Sequence, residues 1–171
     1  MAFLVCLFGQ AGVLSAEEPV PYQYQRGGNL FVSAVILPMD HESFMKIWDT
    51  PRTSGFGFDL TDKIDVGHSI TAIIMFSGAA EKDGKVRLHC LTDVVFPDGG
   101  KQEVFDGLCV DGKLAGPSTD YTLAGNQASF KAPGNLAGQL LVIEQTVTDE
   151  ISGTTIPLRV SVKIMAPGGE S

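Results

Sequence analysis

The chain has 171 residues, of which 44% are hydrophobic and 19% charged, a balance typical of one soluble domain with a hydrophobic core. Its formal net charge of −8 repels phosphate backbones and anionic lipid head groups, so we expect no nucleic-acid partner. Glycine (20) and proline (9) are frequent, as they are where many short strands meet many turns.

Residues 1–16 are uncharged and mostly apolar, and they are too short for a bilayer-spanning helix, which needs about 20 apolar residues. The run predicts a secretory signal peptide cleaved after Ala16, although no basic residue precedes it. A buried first strand is the alternative interpretation. No later apolar stretch is long enough to cross a membrane, so we expect a periplasmic or secreted protein without a membrane anchor.

Residues 17–29 are polar and contain two prolines and a Gly-Gly pair, which predicts a loosely held linker. Residues 30–37 are apolar at nearly every position, and this predicts a first strand covered on both faces. Pro38 ends it.

In the segment after Pro38, the apolar residues are spaced as on one side of a helix. Phe44, Ile47 and Trp48 lie three and four residues apart, which favours a short helical turn with Asp40 as its N-cap. A short strand ending at Trp48 is the alternative.

Alternating or continuous apolar runs predict most of the remaining strands. The last of them, residues 154–165, alternates cleanly, and Pro157 predicts that its beginning lies on a sheet edge. The other clear segments are 69–77, 85–96, 101–109 and 139–148.

Seven to nine strands separated by turn signals indicate an all-β fold. We expect an antiparallel Ig-like β-sandwich over residues 30–165, with at most one short helical turn and a disordered tail at 166–171. The loops at 110–119 and 54–57 are candidates for a variable recognition surface.

Several short stretches carry a resemblance over this region. They are Trp48-Asp49, the MFSG that ends at Gly78, the Pro97-Asp98-Gly99 turn, and a strand that runs from Gly138 to a turn at residues 149–153. The pattern resembles small, mostly uncharacterised bacterial periplasmic proteins with an Ig-like fold. It lacks the corner tyrosine of many Ig domains, and the resemblance implies no catalytic residues.

Cys90 and Cys109 lie in the two arms of a hairpin closed by the turn at residues 97–100. If Phe96 faces Lys101, Cys90 lies opposite Gly107, and a bulge brings Cys109 within bonding reach. In an oxidising compartment this predicts a disulfide, and two buried free thiols are the alternative.

The sequence contains no catalytic motif and requires no cofactor. It has no G-x-S-x-G, phosphate loop or CxxC, and its three histidines lack metal-ligand spacing with one another. Met39, His41 and Met45 form the one plausible metal set, because thioether and imidazole ligands suit Cu(I). Packing of Met45 into the core is the competing interpretation.

Tyr22, Tyr24 and Trp48 are candidates for an aromatic platform that binds sugar or peptide, against the alternative that Trp48 is a core anchor. We therefore expect a non-catalytic exported domain that binds another protein of the cell envelope through loops or a sheet edge. A periplasmic copper-binding protein is the alternative function.

Overall fold

The computed structural model describes residues 18–50, 57–125 and 127–166. This part of the chain is mostly β-structure, with one α-helix, α1 (His41–Asp49), and one 3₁₀ turn at Gly134–Leu136. Its ten strands are β1 (Tyr22–Gly27), β2 (Leu30–Leu37), β3 (Lys63–Asp65), β4 (Ser69–Ser77), β5 (Val86–Val95), β6 (Lys101–Gly112), β7 (Thr122–Leu123), β8 (Ala128–Lys131), β9 (Leu140–Asp149) and β10 (Thr154–Met165).

The strands form two sheets. The first has the order β1-β2-β4-β7, with β8 also paired to β4, and the second has the order β3-β10-β9-β5-β6. Neighbouring strands are antiparallel, except that β3 runs parallel to the end of β10, where Ile64 lies opposite Ile164.

The expected all-β character is therefore correct in its coarse form, and its details need three corrections. The described residues contain ten strands, not seven to nine, because residues 22–27, which the sequence assigns to a linker, form an additional strand. One pair is parallel. The helix has nine residues and so exceeds a single turn, because its N-cap and its apolar side both support it.

One hydrophobic cluster draws its members from both sheets. Alternate residues of β2, including Val32 and Ile36, meet alternate residues of β10, including Val160 and Val162, and Phe76 of β4 is fully buried among them. The even-numbered side chains from Ile156 to Ile164 are all buried, as the alternation of residues 154–165 predicts. The opposite face is exposed from residue 155 to residue 163 except at Ser161, which is buried and whose hydroxyl accepts a hydrogen bond from the Val20 backbone N–H.

The helix α1 covers part of the opposite face of β2, which explains why that strand is apolar on both sides. Phe44 of the helix is fully buried with Val35 and Leu37 of β2 and Ile73 of β4. The carboxylate of Asp40 accepts a hydrogen bond of 2.7 Å from the backbone N–H of Ser43, so the predicted N-cap is confirmed.

The predicted linker at residues 17–29 is wrong for its second half. Tyr22–Gly27 forms β1, which pairs with β2 through a tight turn at Gly28 and Asn29. Gly28 has a φ of 59°, a conformation that glycine adopts without strain. The Gly-Gly pair therefore serves a hairpin turn.

The beginning of β10 lies at an edge, as Pro157 predicts. The ladder with β3 covers only Lys163–Met165. Further back, the backbone N–H of Ser161 donates to the Val20 carbonyl at 2.7 Å, and the N–H of Arg159 donates to the Gln23 side chain. The segment around β1 thus satisfies donors that no strand of the second sheet reaches.

Three predicted segments fall partly or wholly outside the described residues: the signal peptide at 1–16, most of the loop at 54–57, and the tail beyond residue 166. Among the described residues, no helix has the length and apolar character needed to cross a bilayer.

Candidate ligand-binding face

Exposed aromatic side chains occupy the outer face of the first sheet beside α1. Arg26 lies opposite Phe31 in the β1–β2 ladder, and Phe31 lies opposite Ser77 in the β2–β4 ladder. Tyr121 immediately precedes β7 and continues this row, because its neighbour Thr122 pairs with β4. We call the set formed by Tyr22, Tyr24, Phe31, Tyr121 and Arg26 the aromatic face.

The rings of the aromatic face touch in sequence. Ring centroids are 5.8 Å apart between Tyr22 and Tyr24, 5.5 Å between Tyr24 and Phe31, and 5.6 Å between Phe31 and Tyr121. Phe31 stacks on Tyr24 and meets Tyr121 edge to face, both favourable arrangements for aromatic pairs. The exposed fractions of Tyr22, Tyr24 and Tyr121 are 39%, 59% and 57%, so solvent reaches most of the set.

The tyrosines also interact electrostatically. Partial burial, and then the neighbouring Tyr121 and Tyr24, raise the pKa of Tyr22 above its usual value, because a phenolate beside other phenols is disfavoured. Ser33 lies opposite Tyr24 in the ladder. Its hydroxyl is buried and finds no hydrogen-bond partner in the described part of the chain.

Trp48, which the sequence groups with Tyr22 and Tyr24, lies on α1. Its ring packs 6.0 Å from Phe44 at the edge of the cluster beneath the helix, so it serves at least as a packing anchor. The Tyr24 ring contacts the Phe31 ring, and the Phe31 ring contacts the Tyr121 ring.

A cleft of about 650 Å³ lies next to the aromatic face, and Arg26 belongs to both. The β1–β2 turn, the segment after β4 and the β9–β10 turn line it. Its other polar side chains are Asn29, Glu81, Ser118, Thr119, Asp149, Ser152 and Thr154. The predicted recognition loop at 110–119 reaches this cleft through its last two residues, although its first three residues belong to β6.

Asp149 is the buried carboxylate of the cleft, with only 1% of its surface exposed. It accepts hydrogen bonds from the backbone N–H groups of Ala80 at 2.8 Å, Ile151 at 3.0 Å and Ser152 at 3.3 Å. These bonds fix the β9–β10 turn against the segment after β4. The carboxylate therefore has a structural role.

The cysteine hairpin follows the predicted register at its centre. Cys90 lies opposite Gly107, and the ladder skips Cys109 between the pairs Leu88–Val110 and His89–Leu108. This irregularity brings the two sulfurs within bonding distance, 2.05 Å. The bulge that the pairing requires is thus present where the spacing places it.

His89 and Cys90 point to opposite faces, as strand alternation predicts. Cys90 is fully buried, whereas His89 lies on the outer face with its Nε2 3.1 Å from Asp106 Oδ1. A carboxylate bonded to a histidine can orient the imidazole to act as a general base. A buried disulfide on the other face offers it no nucleophile.

The proposed copper ligands lie at the start of α1. His41 is the exposed first residue of the helix, while Met39 and Met45 pack against the cluster beneath it. This placement favours the packing interpretation of the methionines. In the described residues, no three His, Cys, Asp or Glu side chains are arranged to hold a metal ion.

No protein-family model matches the chain, and no curated protein matches it. Among solved structures, it is similar to a family 123 glycoside hydrolase from Clostridium perfringens that was studied for glycolipid glycan hydrolysis, at 8% identity and a TM-score of 0.44. The likeness covers 81% of this chain and only 28% of the hydrolase. Similarity this low supports no statement about the activity of this chain.

Proposed function

We propose that the protein is a non-catalytic, exported domain of Ig-like type that binds another protein of the cell envelope through the aromatic face. The observation that carries this proposal is the chain of contacts from Tyr22 through Tyr24 and Phe31 to Tyr121, which remains largely open to solvent. Tyrosine and arginine are enriched at the energetically dominant positions of protein interfaces.

The position of the face fits this role. Four of its five residues lie on β1 and β2 of a sheet whose other side is the core, so the rings stand on a rigid support. Aromatic rings contribute large contact areas at a low cost in side-chain entropy. A face of this kind is ready for binding without rearrangement.

Export is supported by the cysteine pair, because disulfides persist in oxidising compartments and are rare in the bacterial cytosol. We also propose that the domain is not catalytic, and two features of the described residues support this. Their buried carboxylate, Asp149, is held by three backbone donors. Cys90, which follows His89 of the His89–Asp106 pair, is bonded in a disulfide on the opposite face.

The test compares two double variants in binding to a solubilised envelope fraction. Tyr24→Ala with Tyr121→Ala should weaken capture of the partner by about tenfold or more, because buried aromatic anchors dominate interface energies. Val104→Ala with Leu108→Ala removes two exposed apolar side chains from β6 of the other sheet and should leave capture unchanged. Equal loss in both variants, with both still folded, would overturn the proposed site.

A further inference from the structure

We infer that the second sheet carries a separate site for a small amphipathic anion, a molecule with an apolar chain and one negatively charged head, such as a medium-chain fatty acid. The site is a cleft of about 500 Å³, within the size range of small-molecule sites. We call it the second cleft, and its main lining side chains are Val95, Phe96, Leu140, Val142, Arg159 and Lys163. It lies on the other sheet from the aromatic face, so it does not depend on the binding function proposed above.

The floor of the second cleft is apolar. Val95 lies opposite Val142 in the β5–β9 ladder, and Leu140 stands on the same side of β9 because it precedes Val142 by two residues. Phe96 and Pro97, which follow β5, complete the apolar lining. This floor suits an uncharged alkyl chain.

The same floor is unsuited to a peptide backbone. Val95 and Val142 each have a strand partner on both sides, so their backbone groups belong to existing ladders. A peptide laid across them would lose water from its own N–H and C=O groups without gaining partners, which is costly. An alkyl chain has no such groups to satisfy.

Two cations of β10 line the second cleft. They are Arg159 and Lys163, and no aspartate or glutamate of the described residues lines it with them, although the chain has a net charge of −8. Both cations stand on the outer side of β10, four residues apart. Their Cα atoms are therefore about 13 Å apart, so two long side chains can approach one anion from its two sides.

Lys163 is the better anchor of the two. Arg159 already lies 3.7 Å from Glu144, which also pairs with Lys101. No carboxylate of the described residues pairs with the ammonium group of Lys163. We therefore place the charged head of the ligand at Lys163.

A second lysine strengthens the positive potential at this point. Lys63 lies directly opposite Lys163 in the parallel β3–β10 ladder. Ile64 and Ile164, the next pair, are buried, so the two lysines both stand on the outer face. Like charges placed opposite each other are destabilising, and a bound anion relieves their repulsion as well as pairing with Lys163.

An anionic membrane presents a similar head group. A protein of net charge −8 is repelled by such a surface as a whole, whereas a free anion meets only the local positive potential of the second cleft. The charge distribution therefore favours a free molecule.

Isothermal titration calorimetry of the full chain with octanoate tests the inference, with 1-octanol and acetate as matched probes. Octanoate should bind saturably. Octanol keeps the chain but lacks the charge, and it should bind about tenfold more weakly because one charged pair is lost. Acetate keeps the head but lacks the chain, and it should bind at least about thirtyfold more weakly, since each fully buried methylene contributes roughly fourfold in affinity.

Lys163→Met locates the head group, because it keeps a long apolar side chain and removes the charge. It should weaken octanoate binding about tenfold and change octanol binding less than about twofold. Lys131→Met is the matched control, since Lys131 is an exposed lysine of β8 on the other sheet. It should change neither affinity, and thermal unfolding should show that both variants are folded.

Three results would overturn the inference. The first is equal affinity for octanoate and octanol, or no saturable binding of octanoate. The second is an equal loss of octanoate binding in both lysine variants. The third is tighter binding of phosphatidylglycerol vesicles, or of the peptide acetyl-Gly-Gly-Leu-Leu with a free carboxyl end, than of octanoate, which would assign the cleft to a membrane or to a protein terminus. Tyr24→Ala with Tyr121→Ala should leave octanoate binding unchanged, so the two proposed sites can fail separately.

Discussion

Removal of both cysteines, Cys90→Ala with Cys109→Ala, should destabilise the protein by about 3 kcal/mol. The bond links residues separated by 19 positions. For a loop of that length the chain-entropy relation gives about 11 cal/mol/K of lost denatured-state entropy, or about 3 kcal/mol at 25 °C. Because both side chains lie in the buried cluster, the two truncations add a smaller packing loss.

Chemical denaturation, followed by circular dichroism, measures this difference. Reduction of the unmodified protein should reproduce most of the loss without changing core volume, and the same reductant should leave the double variant unchanged. A difference below about 1 kcal/mol would contradict the entropic reasoning. Two reactive thiols in the denatured, unreduced protein would show that the bond is absent.

Three further predictions follow from single contacts. Gly78→Ala should cost about 2–4 kcal/mol by thermal or chemical denaturation, because φ is +70° and the added Cβ would lie 2.0 Å from the Asn29 carbonyl oxygen. Tyr121→Phe should lower the pKa of Tyr22 only partly in an ultraviolet phenolate titration, since burial is the largest cause of the rise. Asp40→Ala should lower the melting temperature at neutral pH and have little effect in strong acid. The hydrogen bond from the Ser43 backbone lowers the pKa of Asp40 in the folded state, so its contribution is present above the unfolded-state pKa and disappears as the pH falls through the folded-state pKa.

Each of these predictions has a contrary outcome. Gly99→Ala is the control for Gly78, because Gly99 has a φ of +82° and open space around it, so it should cost only roughly 1 kcal/mol. Equal costs at both positions would refute the steric argument. If the pKa of Tyr22 is unchanged after the Tyr121 substitution, the two tyrosines do not interact electrostatically. If Asp40→Ala lowers the melting temperature as much in strong acid as at neutral pH, the loss does not come from the charge of Asp40.

The register of the β5–β6 hairpin was predicted from the sequence only in part. The sequence places Phe96 opposite Lys101, but the structure pairs Val95 with Lys101. An irregularity between Thr92 and Asp93 restores the predicted register, so that Cys90 faces Gly107 after all. The pairing of Cys90 with Gly107 is therefore correct because two one-residue shifts cancel: one at the turn, where Val95 replaces Phe96 opposite Lys101, and one between Thr92 and Asp93. Residue preferences reveal neither shift.

The candidate site was predictable only in part, because its members come from distant segments. Tyr22 and Tyr24 stand out in a polar stretch, whereas Phe31 lies in an apolar run that indicates only burial. Tyr121 joins them through the pairing of β7 with β4, a contact between strands more than forty residues apart that side-chain preferences do not specify. The parallel pairing of β3 with β10 was unpredictable for the same reason.

The most direct test of the aromatic face as a binding surface is site-specific photo-crosslinking in intact cells. The photoreactive residue p-benzoylphenylalanine replaces Tyr24, Tyr121 or, as a control on the other sheet, Leu108, which is also exposed. The account predicts one shared crosslinked partner from Tyr24 and Tyr121 and none from Leu108. Crosslinking to that partner from Leu108 alone, or with equal yield from all three positions, would contradict it.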